Sequence, residues 1–103
     1  MAKYVLVFHG GSMPETPEAQ AKVMEAWTAW FGTLGAALAD PGNPASQTRT
    51  IQADGSVSVE ANGPTGYTIL DAESMDAAVA LAKGCPVLAG GASIQVVETF
   101  NVM

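Results

Sequence analysis

The chain has 103 residues, of which 49% are hydrophobic and 14% charged, so it is long enough for one domain and too apolar for a disordered chain. Ten acidic and four basic side chains give a net charge of −6, which argues against nucleic acid and anionic membranes as partners. One cysteine and one histidine allow neither an internal disulfide nor a structural zinc site. We therefore expect a single acidic domain over residues 1–103, cytoplasmic because no export or membrane segment is visible, with no metal and no cofactor.

The first half of the chain predicts a strand followed by a helix. Lys3–His9 alternates two largely apolar faces, as a strand covered on both sides does, and Gly10-Gly11 ends it. Thr16 as N-cap and Pro17 at the first helical position then start a helix. Apolar residues at spacings of three and four mark its buried face: Val23, Trp27, Trp30, Phe31, Leu34 and Leu38. The helix is expected to end at Asp40–Pro44.

A hairpin and a third strand are predicted next. Gln47–Ala53 and Ser56–Ala61 flank Asp54-Gly55, which is a strong signal for a two-residue turn. Gly66–Asp71 has the composition of a strand.

The chain then predicts a second helix and a last strand. Ser74 is expected to cap the helix, whose apolar face carries Met75, Ala78, Val79 and Ala82. Gly84 is expected to end it in the left-handed conformation. Ala92–Phe100 is the last strand.

This order predicts an α+β fold. Four of the strands and both helices make a ferredoxin-like βαββαβ unit with an antiparallel sheet and one extra hairpin strand. The helices would cover one face of the sheet and leave the other, also apolar, open. We therefore expect a homodimer in which two sheets pack face to face, as the shortness of the chain also favours.

Three segments carry a resemblance to a known family: YVLVFHGG, VMEAWTAWFGTL and SMDAAVALAKGCPVLAGGASIQVVETF. They resemble the YCII-related proteins of bacteria (YciI-like, DGPF-containing), members of the dimeric α+β barrel group. The resemblance covers nearly the whole chain and implies a homodimer with a ligand-sized cleft. It also implies a His–Asp pair with the histidine on the first helix. Trp27 stands at that histidine's place, Asn62 replaces the aspartate of the Asp-Gly-Pro-Phe motif, and Thr65 replaces its phenylalanine.

His9 is the candidate catalytic residue, because imidazole alone titrates near neutral pH without perturbation. It lies at the end of the first strand, next to Gly10-Gly11. One hypothesis makes it a general acid/base whose ring is oriented by Asp40 or Asp71. The other is a strand-end histidine bonded to backbone.

Five residues are candidates for ligand contact: His9, Trp27, Trp30, Arg49 and Tyr67. The tryptophans either wall an apolar pocket or belong to the core. Arg49, the only arginine, either anchors an anionic ligand or pairs with a carboxylate. Tyr67 belongs to a Gly-Tyr segment similar to that of the family. Cys85 follows a helix C-terminus, where the dipole disfavours thiolate, so a structural role is expected.

Three functions stay open. The first is a homodimeric protein that binds an unknown small molecule in a cleft beside the sheet. The second is an enzyme that uses His9 with Asp40 or Asp71, and the third is a structural or interaction module. A cleft lined by tryptophan without a His–carboxylate pair would favour the first.

Overall fold

The computed structural model describes residues 1–102, which form six strands, two helices and two short 3-10 turns. The strands are β1 (Ala2–Gly10), β2 (Leu38–Asp40), β3 (Thr48–Ile51), β4 (Val57–Glu60), β5 (Gly66–Ala72) and β6 (Ala92–Glu98). The helices are α1 (Pro17–Leu34) and α2 (Met75–Ala82), and the 3-10 turns span Gly35–Ala37 and Pro86–Gly90.

One four-stranded antiparallel sheet forms the centre of the domain, in the order β2-β5-β1-β6. With one helix between β1 and β2 and the other between β5 and β6, this is the ferredoxin-like arrangement. The predicted fold class is therefore confirmed.

The alternation of β1 places the core on one side of the sheet. Tyr4, Leu6 and Phe8 are buried, whereas Val5, Val7 and His9 on the other face are only partly covered. The main core cluster joins the buried face to the helices and contains Leu6, Phe8, Trp30, Leu34, Leu70, Ala82 and Cys85. Burying each large apolar side chain stabilises the fold by about 1.5–3 kcal/mol, which fixes the strand's orientation.

The prediction that α1 continues to Asp40 was wrong. The helix ends at Leu34 because Gly35 turns the chain with φ +54°. Leu38 then pairs with Leu70 on β5, so residues that fit the helical spacing form the edge strand β2 instead. Pairing with a distant strand outweighs local helical periodicity here, and the sequence spacing carried no information about that partner.

The hairpin is a separate two-stranded sheet, and β2 takes the place in the main sheet that one of its strands was expected to fill. Its turn is one residue longer than the predicted Asp54-Gly55 turn. The Gly55 amide donates to the Gln52 carbonyl (2.9 Å), and the Gln52 amide donates to the Ser56 carbonyl (2.8 Å). Gly55 has φ +92°, as expected for a turn followed by a glycine bulge.

Both predicted N-caps are confirmed, and α2 ends just before Gly84 as predicted, but the left-handed conformation predicted for Gly84 was wrong. The side-chain oxygens of Thr16 and Ser74 accept hydrogen bonds from amides three residues on, each at 3.1 Å. Gly84 is not left-handed. Trp30 packs closely against Gly84, since a Cβ at this residue would lie 3.3 Å from the indole ring. Of Gly84, Gly90 and Gly91, only Gly91 has a left-handed backbone, and it follows the second 3-10 turn.

Candidate functional site

A cleft opens between the N-terminal half of α1 and the end of the sheet where β1 finishes and β5 begins. It consists of two adjoining pockets of about 580 and 360 Å³. The larger, which we call the glycine-loop pocket, is bordered by Gly10–Pro14 and by Ala89 and Gly90. The smaller, the aromatic pocket, is bordered by Phe8 and Phe31. Both share a central set of residues: Met13, Val23, Trp27, Pro44, Thr65 and Val87.

The floor of the cleft is built where β1 ends. Gly10 and Gly11 have φ values of +73° and +86°, which let the chain leave the strand sharply. Thr65 then closes against that end: its amide donates to the Phe8 carbonyl (2.7 Å), and its hydroxyl donates to the Gly10 carbonyl (3.1 Å). These bonds fix the loop before β5 as one wall of the cleft.

The other wall is the helix, because α1 packs on the core mainly through its C-terminal half. Trp30 and Leu34 are its buried residues, whereas Val23 and Trp27 are only partly covered. The apolar stripe predicted from spacing is therefore divided between two roles. Trp30 and Leu34 belong to the core, whereas Val23, Trp27 and Phe31, spaced four residues apart, line the cleft.

Trp27 lies at the boundary between core and cleft. Its ring centroid is 5.8 Å from that of Phe8 and 5.6 Å from those of Trp30 and Phe31, distances at which aromatic rings attract each other. Trp30 is buried instead, and its indole N–H donates to the Leu81 carbonyl at 3.1 Å. The structure thus brings Trp27 to the cleft and Trp30 to the core.

The segment Pro41–Pro44 forms the wall of the aromatic pocket opposite α1. Gly42 has φ +74°, and a Cβ there would collide with the Tyr67 carbonyl. The Gly42 amide donates to the Asp40 carboxylate at 2.8 Å, and the Tyr67 amide donates to the Asn43 carbonyl at 3.3 Å. Asp40 therefore shapes this wall, and Tyr67 lines the pocket next to it.

The lining of the cleft carries no charged side chain among the described residues. The polar side chains on it are those of Ser12, Asn43, Thr65 and Thr68, whereas the side chain of Tyr67, a residue that also borders the pocket, alternates to the open face beside Val7. The Thr68 hydroxyl already donates to the Pro41 carbonyl at 3.0 Å. Such a surface favours an uncharged ligand, because a buried charge without a partner is costly. Nor does any group of three His, Cys, Asp or Glu side chains in residues 1–102 lie close enough to hold a metal ion.

His9 lies outside this cleft, on the opposite face of the sheet from Phe8. Its Nε2 is 2.7 Å from Oε1 of Gln95, which is therefore its hydrogen-bond partner. The structure does not bring His9 together with either candidate aspartate. Asp40 accepts from Gly42, and Asp71 forms an ion pair with Lys3 at 2.9 Å.

The antiparallel register explains the separation of His9 from Asp71. β1 pairs Lys3 with Asp71, so the aspartate lies at the start of β1 and the histidine near its end. Six residues of strand separate the two positions, a distance of about 20 Å at about 3.3 Å per residue. The sequence places His9 and Asp71 each near the end of a strand, and these positions alone do not show that the two residues are far apart.

The other two candidates take no part in the cleft. Arg49 lies on β3, in the exposed hairpin. Cys85 belongs to the core, and burial raises the pKa of its thiol to about 11, so it is protonated at neutral pH and is a poor nucleophile.

Several lining residues were missed by the sequence analysis, among them Met13, Pro44 and Val87. They come from three loops or turns far apart in the chain and have no shared spacing. The only signal near them was Gly10-Gly11, which marked the end of β1.

The fold is similar to that of 5-chloro-2-hydroxyhydroquinone dehydrochlorinase from Burkholderia phenoliruptrix, solved in complex with 2,5-dihydroxybenzoquinone. The TM-score is 0.53 at 18% sequence identity, and the match covers 94% of this chain and 93% of that chain. At this identity the likeness shows the fold alone, and it supports the ferredoxin-like α+β arrangement. No protein-family model and no curated protein matches the sequence. Within residues 1–102, no helix is both long and apolar enough to span a bilayer.

Proposed function

We propose that the protein binds a small, uncharged and largely apolar molecule, with an aromatic ring as its core, in the cleft beside Trp27. The observation that carries the proposal is the uncharged lining around a partly covered tryptophan. The aromatic pocket, at about 360 Å³, lies at the lower end of the range of about 300–1,000 Å³ usual for small-molecule sites. The solved neighbour of similar fold holds a quinone, a ring of the size that such a pocket admits.

We also propose that the protein works as a homodimer and is a YCII-related protein. The support is the sheet face away from the helices, which we call the open sheet face. Strand pairing places Val5 between Ile69 and Val97, and Val7 between Tyr67 and Gln95. Two-layer domains bury an apolar sheet face against another element, and a second sheet of the same kind is the simplest cover.

The second candidate is an enzyme that moves a proton with His9, and the neighbour's dehydrochlorinase activity favours it. It would act on the open sheet face, since His9 does not line the cleft. The bond from His9 to Gln95 and the lack of a bond to either aspartate favour the binding protein.

The test compares two small aromatic probes by NMR, hydroquinone (neutral at pH 7) and 4-hydroxybenzoate (anionic). We expect hydroquinone to shift the amides of residues 10–13 and 23–31 and to bind more tightly than the anion. Trp27→Leu should weaken binding at least tenfold. Phe100→Leu is the matched control, because Phe100 is an exposed aromatic residue outside the cleft.

The same titration separates the two candidates. Shifts confined to His9, Gln95 and their neighbours, lost in His9→Gln and retained in Trp27→Leu, would contradict the cleft proposal and favour the enzyme. Equal binding by wild type and Trp27→Leu, with no shift at His9, would contradict both.

A further inference from the structure

The β3–β4 hairpin has two chemically different faces. Its register pairs Arg49 with Val59 and Ile51 with Val57, and alternation places all four on one side. The three apolar members of this side are 60–77% exposed. We call this side the arm face.

The opposite side of the hairpin is polar and makes its own hydrogen bonds. The Thr50 hydroxyl donates to the Glu60 carboxylate at 2.8 Å, and the Ser58 hydroxyl lies 3.4 Å from the same oxygen. This side is suited to water. The arm face is not, because its β-branched side chains gain free energy only when they are covered.

The hairpin also needs a partner to hold its shape. It forms its own two-stranded sheet, outside the main sheet. An isolated two-stranded hairpin is at best marginally stable in water, and a third element packed on it is the usual remedy. Nothing in residues 1–102 covers the arm face, so this face is available to a partner molecule.

A second copy of this chain fits that requirement by area. Strands of nine, three, seven and seven residues, at about 3.3 Å per residue and about 4.8 Å apart, give the open sheet face a flat area of roughly 410 Å². A stable interface usually buries about 800 Å² on each partner. The open sheet face alone falls short, and a projecting hairpin that reaches the partner supplies additional area.

Charge favours the same partner. The arm face carries Arg49, the only arginine, whereas the chain as a whole has ten acidic side chains and a net charge of −6. The one charge on the arm face is therefore positive, whereas a second copy carries a net negative charge. This complementarity also disfavours burying the arm face against a basic protein.

We propose that the hairpin is an arm that packs its arm face on the second copy of this chain and so completes the dimer. The proposal rests on the homodimer proposed above and assigns part of its stability to an element outside the sheet. Twofold symmetry means that each dimer buries two arms.

The test measures the dimer dissociation constant by sedimentation velocity for wild type and for Ile51→Thr combined with Val59→Thr. Threonine keeps the β-branched shape that strands favour, so the hairpin can still form. We expect the dissociation constant to rise at least tenfold. The matched control, Thr50→Ser combined with Ser58→Thr, keeps the hydroxyls of the polar side and should leave the constant unchanged. Arg49→Glu should weaken the dimer, and the loss should shrink as salt is added.

The outcomes separate the arm from the dimer. A wild-type dimer whose dissociation constant is the same in the threonine variant and in the control would overturn the arm and leave the homodimer standing. A wild type that stays monomeric at millimolar concentration would overturn both. A readout that needs no variant is the NOE between isotopically labelled and unlabelled chains. Contacts from the Ile51 and Val59 methyl groups to the other chain support the arm, and only intrachain contacts refute it.

Discussion

Replacing Trp30 by phenylalanine tests the division of the two tryptophans between core and cleft. Trp30 is 6% exposed and belongs to the main core cluster, whereas Trp27 is partly covered and lines the cleft. If this assignment is right, Trp30→Phe destabilises the fold clearly more than Trp27→Phe does.

Two losses set the size of the effect. The first is the hydrogen bond from the Trp30 indole to the Leu81 carbonyl. That carbonyl keeps the Gly84 amide as a partner at 3.2 Å, so the loss is about 1 kcal/mol rather than the larger cost of a fully unpaired buried group.

The second loss is the space that the smaller ring leaves. Complete truncation of a buried aromatic residue to alanine costs about 3–5 kcal/mol, and Trp→Phe removes only part of the side chain, so about 1 kcal/mol is reasonable. Together the losses predict about 2 kcal/mol, which lowers the melting temperature by about 8–16 °C in a domain of this size. Trp27→Phe should cost about 1 kcal/mol or less, since its ring is partly solvated already.

Urea unfolding at one fixed protein concentration measures both variants, because a dimer's stability depends on concentration. Each variant keeps one tryptophan, so fluorescence reports on the residue that remains. A loss for Trp30→Phe that is no larger than that for Trp27→Phe would refute the assignment of Trp30 to the core.

Three further predictions concern single residues. Gly42→Ala should destabilise the fold by about 1 kcal/mol or more, because the φ of +74° and the neighbouring carbonyl both exclude a Cβ. Gly32 lies on the exposed side of α1 with open space around it, so Gly32→Ala should stabilise the fold by about 0.4–1 kcal/mol. Thermal unfolding measures both variants, and equal effects would contradict the structure of the 41–44 wall. Burial raises the pKa of the Cys85 thiol to about 11, so the folded protein should resist iodoacetamide at pH 8. The contribution of this thiol to stability should be full below its unfolded pKa near 8.5 and should decline as the pH rises toward 11. Rapid alkylation of the folded protein at pH 8 would contradict the burial of Cys85. The hydrogen bond that Tyr4 donates to Glu98 (2.8 Å) raises the pKa of the phenol, so ultraviolet titration should place the Tyr4 midpoint above 10, and Glu98→Gln should move it back down. The contribution of this bond to stability should be complete below pH 10 and lost above the pKa of Tyr4 in the folded protein. An unchanged midpoint in Glu98→Gln would exclude this cause.

The sequence by itself determined the elements whose signals are local. The alternation of Lys3–His9 predicted the strand β1. Thr16 and Ser74 predicted both helix starts, because a side-chain oxygen that caps an amide three residues on needs no distant partner. The order of elements then sufficed for the fold class.

Only the tertiary structure decided the features that depend on distant partners. Leu38 fits the helical spacing and yet forms a strand, because pairing with Leu70 is available only once β5 is in place. Gly84 has the position of a helix-ending glycine without the left-handed conformation, and only the packing shows that the Trp30 indole lies 3.3 Å from where its Cβ would be.

The candidate site likewise combines features that the sequence predicted with features that only the tertiary structure decided. Helical spacing placed Trp27 and Trp30 on one broad face but could not say that Trp27 lines a cleft while Trp30 fills the core. His9 and Asp71 both lie near strand ends, and only the antiparallel register shows that these are opposite ends of the sheet. Side-chain chemistry and local order follow from the sequence, whereas which groups meet depends on the pairing of strands and the packing of helices on them.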